Sequence, residues 1–194
     1  MRLIRSGDFP EQGWKNGGGR TREIAVQRDA AGVLWRISLA DITAPGSFSA
    51  FPGLQRIFAV AGGGPVRLRI GVDRIVDIRP GDPPVVFDGA AEVAAELGGE
   101  PAQALNLMVR PGHCRAAMDL ADADFAPPGW AKAVWVIPSA PCRISCRGRT
   151  IAAGRRDAVS LPAAPFALVG AAPAHVVTIG AASSATHDGP AAAS

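Results

Sequence analysis

The chain has no tyrosine, only two lysines (Lys15 and Lys132) and three histidines that stand far apart. The missing tyrosine points to no function, but the other scarcities remove whole classes. A metal-dependent barrel enzyme of the oxygenase or isomerase type needs an H-x-H pair with a further glutamate and histidine. His113, His175 and His187 form no such pair, so neither a metal nor a cofactor is expected. There is no G-x-S-x-G nucleophile elbow and no G-x-x-x-x-G-K-[ST] phosphate loop. The three cysteines, Cys114, Cys142 and Cys146, are odd in number, and their closest pair is spaced C-x3-C. That spacing supports neither a disulfide framework nor a zinc knuckle, which leaves them as idle buried thiols. No apolar run reaches the ~18–20 residues of a membrane span, and residues 1–8 contain no apolar signal region. A cytoplasmic protein with no membrane partner is therefore expected. The net charge of +3 comes from arginines that are scattered, apart from Arg147, Arg149, Arg155 and Arg156. Nucleic-acid binding would call for a basic stripe with aromatic partners, so no nucleic-acid partner is expected.

What the chain has in quantity is turn residues, 23 glycines and 17 prolines in 194 residues, alongside 48% hydrophobic residues. That length supports a sizeable core in one domain or in two joined halves. Strand-like runs recur about every ten residues, at 23–27, 33–42, 55–61, 66–70, 74–78, 85–88, 92–97 and 105–110. A second series falls at 133–137, 143–147, 158–161, 166–169 and 175–179. Even spacing with glycine and proline between runs is the pattern of a sandwich or barrel. Val66-Arg67-Leu68-Arg69-Ile70 and Trp35-Arg36-Ile37-Ser38-Leu39 alternate faces as strands do. Helical candidates are few: 89–97 reads equally as an edge strand, and 116–123 as a helical turn or a strand end. Asp124-Phe125-Ala126-Pro127-Pro128-Gly129-Trp130 breaks regular structure and sets the expected division. A first barrel with the pocket spans 1–124, a shorter second half 125–180, and a small-residue tail expected to be disordered 181–194.

Chemistry concentrates at Trp14-Lys15-Asn16-Gly17-Gly18-Gly19-Arg20-Thr21-Arg22-Glu23. Three glycines allow positive φ and close approach, and the flanking cations, amide, hydroxyl and indole suit a small polar anion. A plain hairpin turn with a solvated rim fits the same residues. In Trp35-Arg36-Ile37-Ser38, alternation sets Arg36 and Ser38 on one side, either lining a lumen or facing water. Asn106, Met108 and Arg110 share one side of the run at 105–110, and Arg56 begins the run after Phe51-Pro52-Gly53.

Taken together, these segments resemble the HutD/Ves family of bacterial proteins. The resemblance rests on Trp14-Lys15-Asn16-Gly17-Gly18-Gly19 with Thr21-Arg22-Glu23, on Trp35-Arg36-Ile37-Ser38-Leu39-Ala40, and on Phe48-Ser49 with Phe51-Pro52-Gly53 and Arg56. Phe87-Asp88-Gly89 and Leu105-Asn106-Leu107-Met108 complete it, so that it covers roughly residues 1–115. It departs at Gln55 and Ala104, where the family commonly carries acidic residues; both changes would remove a carboxylate near the pocket.

The resemblance implies an all-β, cupin-type double-stranded β-helix with two barrel halves in one chain, a bicupin without the usual cupin metal ligands. It implies a binding protein for a small carboxylate-bearing metabolite, with formylglutamate a proposed ligand, that tunes histidine utilisation. On this reading Arg36 and Arg56 neutralise the anion. Lys15, Asn16, Thr21, Ser38 and Asn106 add hydrogen bonds, Trp14 covers the apolar part, and Glu23 orients an arginine or meets an amine. The rival is a metal-independent isomerase or hydrolase with Glu23 or Lys15 as acid/base. A further alternative is an interaction scaffold with partners on an edge strand. The sequence is also compatible with a homodimer.

Overall fold

The computed structural model describes residues 1–14, 17–170 and 173–182. Lys15, Asn16 and the tail from 183 onward lie outside them. In chain order the strands are β1 (Arg2–Ile4), β2 (Glu11–Gly13), β3 (Gly19–Asp29), β4 (Gly32–Ile42), β5 (Gly46–Ser47) and β6 (Gln55–Gly63). Next come β7 (Val66–Ile70), β8 (Arg74–Ile78), β9 (Val85–Asp88), β10 (Val93–Leu97), β11 (Ala102–Val109) and β12 (Cys114–Ala121). The last six are β13 (Ala133–Pro138), β14 (Cys142–Cys146), β15 (Arg149–Ala153), β16 (Ala158–Pro162), β17 (Phe166–Gly170) and β18 (Ala174–Ala181). Among the described residues, the only helical piece is a single 3-10 turn, Ser6–Asp8, and no helix is long and apolar enough to cross a membrane. Both ambiguous segments are strands: β10 covers the alanine-rich stretch and β12 the stretch after Cys114.

Alternation decides which face each strand buries. Val66, Leu68 and Ile70 are buried while Arg67 and Arg69 face outward, where they pair with Asp77 and Glu96 at 2.7 Å. Such exposed pairs contribute a few tenths of a kcal/mol at best. Burial of the aliphatic face carries the fold, at about 25 cal/mol per Å² of apolar area.

Four antiparallel sheets stack in layers. The first half faces a four-stranded sheet (β5-β10-β7-β8) with a six-stranded one (β2-β3-β4-β11-β6-β9). Ile42, Phe58, Val60, Val66, Leu68 and Ile78 fill the space near one end of that barrel. The second half pairs β1-β16-β13-β18-β12 with β15-β14-β17, closing on Val134, Val136, Ile144, Val159, Phe166 and Val176. A third core joins the halves back to back, with Ile37, Leu39, Leu105 and Leu107 of the six-stranded sheet against Met118, Ile137, Val177 and Ile179 of the five-stranded one.

Strand pairing does not divide at residue 124. The Pro127-Pro128 stretch does interrupt the strands, but β12 lies before it and pairs with β18 along its whole length, and β1 pairs with β16. The second barrel thus draws its outer strands from sequence before the break. The prolines mark a chain break, and the apolar face of β12 (Cys114, Met118) decides the sheet.

His175 on β18 is 4% exposed, and its Nδ1 has no partner among the described residues. Burial lowers its pKa to about 4. An unfolded histidine near 6.5 binds a proton that the folded one refuses, so stability is complete above about pH 6.5 and drains away as pH falls towards 4. The loss approaches about 3 kcal/mol. Thermal melts from pH 7 to 4 should show this decline, and it should be absent in His175→Gln. An equal decline in that variant would clear His175 of the effect.

Candidate functional site

Registry across the six-stranded sheet lines up the polar positions. Glu23 pairs with Ser38, Ser38 with Asn106, and Asn106 with Phe58. One step along, Arg36 pairs with Met108, Met108 with Arg56, and Arg56 with Phe87. A bulge between Glu23 and Ala25 shifts β3 by one residue. Because side chains alternate, these two rows face the same side of the sheet, the interior of the first barrel.

They line a cavity of about 610 Å³. Trp14, Thr21, Glu23, Arg36, Ser38, Arg56 and Asn106 all stand on its wall, so every expected site residue that is described converges there. Lys15 and Asn16 lie outside the described residues. Arg36 and Ser38 face the lumen, not water: Ser38 is 2% exposed and the Arg36 side chain 18%. Gln55 is exposed and absent from the wall, so an acidic residue there would not have met a ligand; Ala104 is buried in the barrel core beside it.

Arg56 dominates the electrostatics. It is 5% exposed. Its Nη2 donates to Asn106 Oδ1 at 2.8 Å, and Nε is buried with no partner. The guanidinium carbon lies 5.0 Å from the Phe48 ring centre, 5.1 Å from Phe87 and 5.8 Å from Phe51. Among the described residues no carboxylate pairs with it. Burial, and secondarily the Arg36 charge, lower its pKa to about 10, so it remains a cation at neutral pH. Cation–π contacts recover about 0.5–2 kcal/mol each, whereas burying an unpaired ion costs several. Arg56 is thus a buried cation that, among the described residues, meets an amide oxygen and aromatic faces and no carboxylate.

Arg36 differs, because its Nε donates to Glu23 Oε2 at 2.8 Å. With Arg28 at the rim, the wall carries three guanidinium groups against one carboxylate. The Glu23 carboxylate is thereby engaged by Arg36. The Trp14 indole N–H donates to Thr21 Oγ1 at 2.8 Å, and its ring meets Phe48 edge-on at 5.8 Å. Thr21 thus fixes the indole while its own O–H stays a donor. Among the described residues no three His, Cys, Asp or Glu side chains gather to hold a metal.

The glycine turn seats this wall. Gly17 takes φ +71° and donates its N–H to the Trp14 carbonyl at 3.1 Å, and Thr43 N–H donates to Gly18 O at 3.0 Å. A Cβ on Gly19 would strike the Asp41 carbonyl oxygen. Gly17, Gly18 and Gly19 are not themselves on the cavity wall; the turn flanks it through Trp14 and Thr21.

Sequence reasoning did not assign the phenylalanine cage, nor Gln12 and Met108 on the wall. Phe48, Phe51 and Phe87 stood in quoted motifs, but nothing in their spacing brings them together. Backbone lacing does so: Phe51 N–H to Gly89 O at 2.6 Å, Gly89 N–H to Leu54 O at 2.7 Å and Phe48 N–H to Val93 O at 2.8 Å.

Replacing Arg56 by methionine should leave the ligand-free protein as stable as the parent or more so, by about 1 kcal/mol or more, because an unpaired buried charge is removed. Urea melts of Arg56→Met check this; a clear loss of stability would mean that the cation is fully compensated within the fold.

A family model described as HutD matches residues 6–176. An uncharacterized 21.2 kDa protein in the hutC 3' region of Pseudomonas putida is 38% identical over 131 residues, 63% of this chain and 65% of that one. Protein Ves of Citrobacter koseri is 37% identical over 119 residues, 60% of this chain and 62% of its own. The matched stretch thus spans a little under two thirds of each relative. The structure of HutD from Pseudomonas fluorescens SBW25, from a formate condition, superposes with a TM-score of 0.81 at 25% identity, over 93% of this chain and 98% of that one. Bacillus subtilis oxalate decarboxylase, a cupin-fold protein, superposes at 0.62 with 11% identity, over 94% of this chain and 77% of that one, which shows the shared fold. The strand layout, the two-barrel cupin architecture and the family match over residues 6–176 agree: this chain belongs to the HutD family.

Proposed function

We propose that the first barrel binds a small carboxylate-bearing metabolite, formylglutamate or a related compound, and that this occupancy tunes histidine utilisation in the cytoplasm. The observation that carries the reading is Arg56, a buried cation in a 610 Å³ cavity whose Nε has no partner and which meets no carboxylate among the described residues. Arg56 and Asn106 hold one carboxylate, Arg36 reaches its far side or a second acid, and Ser38 adds a hydroxyl. The apolar part of the ligand lies against Trp14 and Phe48. One relative lends support: the Pseudomonas putida protein lies in the hutC 3' region.

A metal-independent enzyme is the rival. Among the described residues Glu23 is the one carboxylate on the wall, and its hydrogen bond to Arg36 favours an orienting role over proton transfer. Turnover of a candidate metabolite that disappears in Glu23→Gln while binding persists would reverse that preference.

Thermal shift with formate, formylglutamate, glutamate, urocanate and histidine tests the reading. A true ligand at 100 times its Kd should stabilise the fold by about 2.7 kcal/mol. Each charged hydrogen bond contributes about 1.5–3 kcal/mol, so Arg36→Ala should weaken binding tenfold or more in titration calorimetry. Binding as tight as the parent's would remove Arg36 from the site.

A further inference from the structure

We propose that the groove between the two barrels, behind the ligand cavity, is a second anion site that takes a phosphate group. The proposal stands apart from the ligand reading above, because it uses other residues on the opposite face of β3 and β4.

The groove, of about 330 Å³, is lined by Arg20, Asp41, Thr43, Gln103, Arg155 and Arg156, with Gly63, Pro101 and Ala102 at its floor. Arg20 and Asp41 belong to the first barrel, one position along from the cavity residues Thr21 and Ala40. Arg155 and Arg156 come from the turn between β15 and β16 of the second.

That turn is built to hold its arginines in place. Asp157, 4% exposed, accepts from Gly154 N–H at 2.8 Å and Ser6 N–H at 2.9 Å, and from Arg5 Nη1 at 2.8 Å. Burial pushes its carboxyl up, but those three donors outweigh burial and hold it below the ordinary carboxylate range. Arg156 N–H donates to the Pro138 carbonyl at 2.8 Å. Arg156 itself sits at φ +67°, a conformation that favours glycine. An arginine held where glycine would be easier suggests that the guanidinium is needed there.

Two polar atoms in the groove are buried without partners among the described residues: Arg156 Nε, a donor, and Gln103 Oε1, an acceptor. Gln103 Nε2 is used on Asp41 Oδ1 at 2.6 Å, and Arg22 Nη2 holds Asp41 Oδ2 at 2.7 Å. Asp41 is therefore already engaged. Glu11 is likewise shared by Arg20 at 3.2 Å and Arg22 at 2.9 Å. Four arginines (20, 22, 155, 156) face two carboxylates (11, 41), an excess of two positive charges. A phosphate group carries about −1.5 to −2 at neutral pH, matching that excess. Its oxygens accept from guanidinium forks, and the remaining O–H of hydrogen phosphate can donate to Gln103 Oε1, which a phosphomonoester dianion cannot do. A lone carboxylate supplies one charge and no proton.

Titration calorimetry of the full chain with inorganic phosphate, at an ionic strength held constant with chloride, tests this. Phenyl phosphate forms a second arm. Arg156→Gly suits the backbone conformation while removing the whole side chain with its guanidinium; Arg155→Ala provides an independent variant. Phosphate should bind at one site, and each variant should weaken it at least tenfold, while Arg56→Met leaves it within twofold. Phenyl phosphate binding more tightly than inorganic phosphate would identify a phosphomonoester as the source, and weaker binding the free ion. No heat beyond the chloride control, phosphate binding unchanged in both groove variants, or binding lost in Arg56→Met would overturn the proposal.

Discussion

A guanidinium buried without a carboxylate partner among the described residues governs the design of the first barrel. Arg56 is 5% exposed and touches one amide oxygen and three aromatic faces. Those contacts soften the cost of its burial without cancelling it. The rest of the wall follows from holding that charge in a buried place. Asn106 is directed at it from β11, the loop carrying Phe48 and Phe51 is laced down over it, and Phe87 closes the side on β9.

Holding the charge there requires a scaffold that does not yield. The six-stranded sheet has its polar face in the cavity and its apolar face against the second barrel. Ser38, Asn106, Arg36 and Arg56 can therefore not turn away without moving Ile37, Leu39, Leu105 and Leu107, which are 2% exposed or less. The second barrel works as a backing plate. It also takes β1 and β12 from sequence before the proline break, so the halves are tied by chain exchange as well as by packing.

Much of this was legible in residue order. Period-two alternation gave most strands closely, and 66–70, 74–78 and 85–88 match to the residue. The side of the sheet on which Arg36, Ser38 and Asn106 lie also follows from alternation, but whether that side meets water or a lumen does not. The family resemblance supplied that choice, and the structure bears out the lumen. Three features escaped for physical reasons. Short strands such as β1, β2 and β5 have too few residues to show a period. The aromatic cage depends on loop hydrogen bonds between residues about forty positions apart. The partners of β12 are set by which apolar face finds a complementary sheet, and the nearest proline does not decide them. Within the sequence, Arg155 and Arg156 read only as part of a small arginine group with Arg147 and Arg149; the turn that fixes them is a tertiary feature.

The most direct test observes the buried guanidinium itself. In a ¹H–¹⁵N spectrum of arginine Nε–H groups, assigned with Arg56→Met, the Arg56 signal should be slow to exchange with water and should move downfield as a carboxylate ligand saturates the protein. A ligand that binds while the Arg56 signal stays in place would contradict the account at its root.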